Sequence, residues 1–212
     1  MGVASRPKQP APAGEAGAAR RRWPSLVLAS ASPRRRELLA QMGVGFEVVT
    51  SEVNELHHEQ LTARELCLLN AYRKARAVAK RFPDRVVLGA DTLVHLDGAL
   101  FPKPATLAEA QQMLRRLAGR THQVVTGLCL LRLRAYRERL CWDITDVTFR
   151  PLSPEQIRGY VAAVNPLDKA GAYAIQERGE LIVSEISGSY SNVVGLPVER
   201  LEAELDAWAV LA

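Results

Sequence analysis

The residues best suited to chemistry on an anion are gathered in a few short stretches. Ser30-Ala31-Ser32-Pro33-Arg34-Arg35-Arg36 follows a short apolar run at 25–29 that reads as a buried strand. Ser32 is placed to N-cap a helix, and Pro33 suits the first helical position, where no N–H is needed. Arginines in a first helical turn oppose the positive end of the macrodipole, at a cost of about 0.3–1 kcal/mol each when unpaired. An anion held by serine hydroxyls, free backbone N–H groups and guanidinium forks reverses that sign. The alternative is that exposed arginines simply tolerate the position; two serines directly after a strand favour phosphate. Asp91 ends the mostly apolar run Arg85-Val86-Val87-Leu88-Gly89-Ala90, at the carboxyl end of an expected strand, where ligands collect in open α/β sheets. A carboxylate there could hold a divalent cation, orient and deprotonate water, or cap a turn. Glu55 is either a second such carboxylate or a solvated loop acid. Lys74, on an expected helix, and Lys103, between Pro102 and Pro104, are candidate phosphate cations. The segment 188–192 could meet a ligand through its backbone and otherwise reads as a polar loop. On their own, these residues indicate a nucleotide or other polyphosphate, and decide neither hydrolysis nor the base.

The elements that must position them can be read from caps and periodicity. Gly43 stops the first helix, and residues 46–50 form the next strand. Thr62 with Glu65 makes a capping box for a long helix ending before Pro83, and Thr106 with Glu109 makes another for a helix to Leu117, stopped by Gly119. Residues 93–96 continue extended from Asp91-Thr92 into the hairpin turn Asp97-Gly98. Strands are expected at 122–133 and 140–149, the second alternating Ile144, Asp146, Thr148 against Thr145, Val147, Phe149 as a half-solvated antiparallel strand would. Ser153-Pro154-Glu155-Gln156 opens a helix to about Val164; a strand is expected near 181–183 and a last helix from Pro197. Alternating strands and helices with hairpins among them give an α/β fold on a long, twisted mixed sheet.

The composition narrows the function classes. The chain has 212 residues, 48% of them hydrophobic, and a formal charge of +5. Arg6, Lys8, Arg20, Arg21 and Arg22 against Glu15 place most of that charge in residues 1–22, an Ala-, Pro-, Gly- and Arg-rich stretch expected to be a disordered basic tail. The body, residues 23–212, is then nearly neutral at +1, which argues against a nucleic-acid partner and for a small, locally held anion. No apolar run approaches the roughly 18 residues of a membrane span. Cys67, Cys129 and Cys141 have no paired spacing, which suggests free thiols and a reducing, cytoplasmic setting, and the histidines show no zinc-ligand spacing.

Six segments in order resemble the Maf family of nucleoside triphosphate pyrophosphatases: Leu28-Ala29-Ser30-Ala31-Ser32-Pro33-Arg34-Arg35; Gly89-Ala90-Asp91-Thr92; Lys103-Pro104; Gly119-Arg120-Thr121-His122 with Thr126-Gly127; Asp168-Lys169-Ala170-Gly171-Ala172-Tyr173; and Asn192-Val193-Val194-Gly195-Leu196-Pro197. The resemblance implies cleavage between the α and β phosphates with a divalent cation, Mg²⁺ or Mn²⁺. It also implies a fold similar to that of the inosine triphosphate pyrophosphatases, with two lobes about a cleft, and a homodimer. By resemblance, Asp91 is the proton acceptor, with metal coordination as its alternative role. Ser32, Arg34, Arg35, Lys74 and Lys103 bind substrate, and Glu55 with Asp91 holds the metal. Arg34, Thr92 and Gln176 are the positions associated with substrate choice, and the segment through Gln176 resembles the branch acting on dTTP and UTP. Two departures stand out: Gln176 is followed by Glu177 and not glycine, and Asn54 stands where an acid often precedes the matched glutamate. A nucleotide-binding regulator of cell division with little or no turnover is the alternative function.

Overall fold

The computed structural model describes residues 23–58 and 60–210; the expected basic tail lies outside the described residues. β1 (Leu26–Leu28) leads into α1 (Pro33–Gln41), with Ser32 as N-cap and Pro33 at the first position, as the sequence predicts. β2 (Phe46–Val48) precedes α2 (Ala63–Ala79), whose Thr62–Glu65 capping box is formed in both directions. β3 (Val86–Leu96) turns at Asp97-Gly98 into β4 (Ala99–Phe101). After α3 (Leu107–Leu117) come the two longest strands, β5 (Thr121–Arg132) and β6 (Arg137–Phe149), then α4 (Pro154–Ala163). β7 (Val183–Ser187), a short α5 (Tyr190–Val194) and α6 (Val198–Val210) complete the described chain. The seven-stranded mixed sheet has the order β2-β1-β3-β5-β6-β7, with β4 also on β3.

Four expectations shift. Asp91 does not end a strand: Asp91-Thr92 lie in the middle of the eleven-residue β3. The expected strand near 181–183 begins only at Val183, because residues 179–181 form a 3-10 turn. The expected loop at 188–192 is partly helix, since Ser189 caps α5 through the Asn192 N–H. At α3 the Thr106 hydroxyl caps the Glu109 N–H, but the Glu109 carboxylate turns back to the Ala105 N–H, so the box is shifted by one residue.

The mid-strand position of Asp91 still lies at an opening in the sheet. β5 runs along one edge of β3 from Val87 to His95. On the other edge β1 covers Val86–Leu88 and β4 covers Val94–Leu96. Between them residues 89–93 have no strand neighbour on that side among the described residues, so the carboxyl end of β1 and the middle of β3 share one gap. Strand alternation sends Asp91 to the face covered by α2 and Thr92 to the opposite face.

Two glycines set how closely α2 approaches. A Cβ on Gly89 would lie 2.2 Å from the Ala71 carbonyl oxygen, and one on Gly127 would lie 2.7 Å from the Cys67 carbonyl carbon. Gly127 is the cross-strand partner of Asp91. The helix therefore rests almost on the backbone of β3 and β5. Its buried stripe is Leu66, Cys67, Asn70, Ala71, Lys74, Ala75, Val78 and Ala79. The apolar members join Val27, Val87 and Cys129 on one side of Asp91 and Leu93 with Val125 on the other. Each large apolar member contributes about 1.5–3 kcal/mol by burial, and Asn70 and Lys74 are carried into the same interface. The other face of the sheet holds the main core, with Leu88, Ala90, Val94 and Leu128 packed with residues of α3, α4 and α6.

Candidate active site

Ser32, Arg34, Arg35, Glu55, Lys74, Asp91, Thr92, Lys103 and Gln176, all singled out by the sequence, line a single cavity of about 360 Å³. It occupies the gap beside β3 and is within the size range of small-ligand sites. Its charged lining comprises Arg34, Arg35, Lys74, Lys103 and Lys169 against Glu55, Asp91 and Asp168, so cations are in excess, as an anionic ligand requires. Val193, Val194 and Gly195 line the cavity, whereas residues 188–192 do not.

On the α2 side the charges form a compact set. Lys74 Nζ donates to Asp91 Oδ1 and to Glu55 Oε1, at 2.6 Å each. Asn70 Nδ2 donates to Asp91 Oδ2 at 3.2 Å and to the Leu56 carbonyl, while Asn70 Oδ1 accepts the Leu56 N–H at 2.8 Å. One helical asparagine thus positions both the carboxylate and the loop carrying Glu55. Asp91 is only 2% exposed; the Glu55 side chain is 35% exposed. Burial pushes the Asp91 carboxyl above the usual range and neighbouring Glu55 adds to the rise, against the pull of Lys74 and Arg35. For Glu55 the order reverses: burial would raise its carboxyl, but Lys74, with Lys103 behind it, holds it well below the usual value. Two adjacent carboxyl groups are therefore driven apart, one toward a proton acceptor and one toward a permanent anion.

At the α1 end the two cavity arginines differ. Arg35 is buried, and its guanidinium donates to the Gly195 carbonyl at 2.8 Å, to Thr92 Oγ1 at 2.9 Å and to Ser30 Oγ at 3.3 Å. Thr92 Oγ1 lies 2.9 Å from Thr126 Oγ1, which donates on to the Asn192 carbonyl. Arg34 is more open and reaches Asp168 Oδ2 at 3.1 Å and the Asp168 carbonyl. Opposite lies Lys169, buried, donating to the Asn165 carbonyl and to Asp168 and paired with Glu177. Lys103 is exposed at the rim.

Asn70 was missed by sequence reasoning although a signal existed: with Lys74 it forms a polar i, i+4 pair inside the apolar stripe of an amphipathic helix. Lys169 stands inside the 168–173 motif, and nothing local in the sequence marks it as buried. At the Asn54 departure it is the backbone carbonyl that accepts from Arg73, at 2.9 Å, and that contact does not depend on the side chain. All three cysteines are free and buried, and no helix is long and apolar enough to cross a membrane among the described residues. Among these residues no three His, Cys, Asp or Glu side chains converge as a metal cage. Mg²⁺, however, commonly uses one or two carboxylates together with substrate phosphates and water, and Glu55 with Asp91 meets that requirement.

Residues 25–208 match the family of Maf-like proteins. A dTTP/UTP pyrophosphatase of Symbiobacterium thermophilum is 51% identical over 175 residues, covering 82% of this chain and 89% of that protein. Proteins of the same name from Moorella thermoacetica and Escherichia coli K12 are 49% and 50% identical, covering 87% and 82% of this chain and 95% and 88% of their own. The structure of a HAM1 protein from Coxiella burnetii superposes with a TM-score of 0.50 at 16% identity, covering 86% of this chain and 98% of that one. That likeness is one of fold and agrees with the mixed α/β sheet.

Proposed function

The chain belongs to the Maf-like protein family, and from that premise we propose that it is a pyrophosphatase hydrolysing dTTP and UTP to the nucleoside monophosphate and pyrophosphate. The observation that carries the reading is the ion-paired Asp91–Lys74–Glu55 set, its aspartate and lysine buried, in one cavity with the arginine-bearing start of α1. Cleaving a triphosphate builds negative charge on bridging and terminal oxygens, so catalysis is chiefly positioning and electrostatic stabilisation. Arg34, Lys103 and the Ser32 turn hold phosphate oxygens, while Arg35, fixed by three protein acceptors, lends its charge from behind. Asp91 takes the proton of a water whose oxygen bonds to the α phosphorus, the bond from that phosphorus to the bridging oxygen breaks, and pyrophosphate departs. Its raised affinity for a proton suits that step, and Lys74 and Asn70 leave a lone pair free on each of its oxygens.

Glu55, ionised and open to the cavity, is the main holder of a divalent cation, Mg²⁺ or Mn²⁺, with Asp91 beside it. The ion would neutralise phosphate charge when bound. Gln176 and Thr92 face the pyrimidine edge, for which an amide and a hydroxyl have the right donors and acceptors. A cytoplasmic homodimer that clears unwanted pyrimidine triphosphates and needs no nucleic-acid partner completes the reading.

Pyrophosphate release from a panel of triphosphates with Mg²⁺ or Mn²⁺ tests it. We expect turnover of dTTP and UTP, and a fall of about 10²–10⁴ in kcat for Asp91→Asn with KM little changed. Nucleotide binding without turnover by the folded wild type would overturn it in favour of a regulator.

A further inference from the structure

Gln176 stands on an irregular stretch: residues 173–178 form neither helix nor strand. Its side chain is exposed to the cavity and its amide has no hydrogen bond to another described residue. Its place is therefore set by its backbone alone. That backbone is bracketed by Ala172 and Arg178, both non-glycine residues in the left-handed region, with φ of 63° and 55°. Such conformations persist only where surrounding structure imposes them, and they concentrate at ligand clamps.

The imposing contacts come from two residues outside the cavity. From α4, the Tyr160 hydroxyl accepts the Ala174 N–H at 3.1 Å and faces the Ala174 and Glu177 carbonyls at 3.2 and 3.4 Å. Tyr160 is 2% exposed, so water does not compete for those groups. From β5, His122 Nε2 is 2.8 Å from the Tyr173 hydroxyl, and the rings of His122, Tyr173 and Phe149 meet edge to face with centroids 4.8–5.4 Å apart. His122 Nδ1 is buried with no hydrogen-bond partner among the described residues, which leaves the tyrosine contact as the ring's one polar anchor. Burial pulls the imidazole down to about 4, so it is neutral when it meets the tyrosine.

We infer that Tyr160 and His122 are positioning residues for base selection: they pin the backbone of residues 173–177 from both sides and so fix where Gln176 presents its amide. The inference rests on the proposed base-reading role of Gln176. It extends that role to two residues that touch neither substrate nor phosphate site.

The test is Tyr160→Phe, which keeps the ring and removes only the hydroxyl. KM and kcat are measured for dTTP, UTP and dCTP, and inorganic tripolyphosphate serves as a base-free competitor. KM for the preferred pyrimidine should rise roughly tenfold with kcat within about twofold, and discrimination against dCTP should shrink. The inhibition constant of tripolyphosphate should not move. His122→Leu should give the same split, and His122→Gln, which restores a polar atom near Nε2, should recover part of it. A Tyr160→Phe protein with unchanged KM and discrimination would overturn the inference. So would a folded variant in which kcat falls and the tripolyphosphate inhibition constant rises along with KM for the nucleotide, since that is a general structural role. The wild-type panel reports separately on the underlying reading: a different preferred base there removes the pyrimidine assignment, and loss of that preference in Tyr160→Phe still tests the positioning.

Discussion

The cavity has two walls of different construction. The wall we assign to the triphosphate is carried mainly on regular elements, the start of α1, the buried stripe of α2 and the middle of β3, with Glu55 and Lys103 added from irregular segments. The wall we assign to the base is, apart from Thr92, residues 168–178, with short turns, two non-glycine left-handed residues and no strand partner among the described residues. The first is rigid because its backbone hydrogen bonds are those of helix and sheet, and its side chains are locked by packing around Gly89 and Gly127. The second is held by side chains reaching in from Tyr160 and His122. Proton transfer depends on the reacting groups being closely placed, whereas base choice can be varied by changing a loop on a fixed scaffold. If this division is real, damage to the first wall should spread through the fold, and damage to the second should stay in substrate choice.

After Asp91→Asn itself, the largest expected effect is that of Lys74→Met. It leaves two neighbouring carboxylates without their shared cation, and kcat should fall by about 10²–10³. The sign in pH is fixed by the role of Asp91. A base works when ionised, so kcat/KM rises with pH through the carboxyl's pKa, which burial already holds above the usual value. Lys74 opposes that rise; without it the acid limb must move to higher pH. A pH–rate profile that drops in height with an unmoved acid limb would mean that Lys74 acts on the substrate alone and that Asp91 is not the titrating base.

Next is Gly89→Ala. The added carbon meets the Ala71 backbone, not a flexible side-chain end, so α2 must lift from the sheet at a cost of about 1–3 kcal/mol. The urea midpoint should drop, and kcat should drop with it because Asn70 and Lys74 ride on the same helix. Tyr160→Phe provides the contrast, with KM changed and kcat kept. If Gly89→Ala lost stability at full kcat, the first wall would not depend on the packing of α2.

The same division explains what the sequence discloses. The first wall was legible because its signals are local: a serine before proline at a helix start, a threonine–glutamate capping box, an apolar run leading to Asp91. What escaped was the place of Asp91 in the middle of β3. The extended run on to Leu96 and its hairpin turn were legible, but not that Asp91-Thr92 join the two stretches as one unbroken strand, which pairing with β5 does. Asn70 could have been found as a polar break in an apolar stripe. The second wall was visible only through the family resemblance that marks Gln176. The contacts that fix it join Tyr160 to Ala174 and His122 to Tyr173, and neither tyrosine nor histidine carries a local signal of its partner. Left-handed Ala172 and Arg178 are likewise imposed by tertiary structure against their own preference.

The smallest effect concerns a charged tie between the walls, the ion pair of Arg34 with Asp168, whose side chains are 23% and 51% exposed. A pair this open is screened by solvent and contributes about 0.2–1 kcal/mol at most, so Asp168→Asn should leave the melting temperature almost unchanged. Its effect on substrate should nevertheless have a definite sign. Asp168 engages the same guanidinium that we assign to the phosphates, and an incoming triphosphate must compete for it. Removing the charge should therefore lower KM for dTTP roughly two- to fivefold at low ionic strength, and the gain should fade as salt screens the phosphate attraction. A rise in KM instead, insensitive to salt, would mean that Asp168 braces the base wall through Lys169. The two walls would then be mechanically joined at the mouth of the cavity, and the division between them would have to be redrawn there.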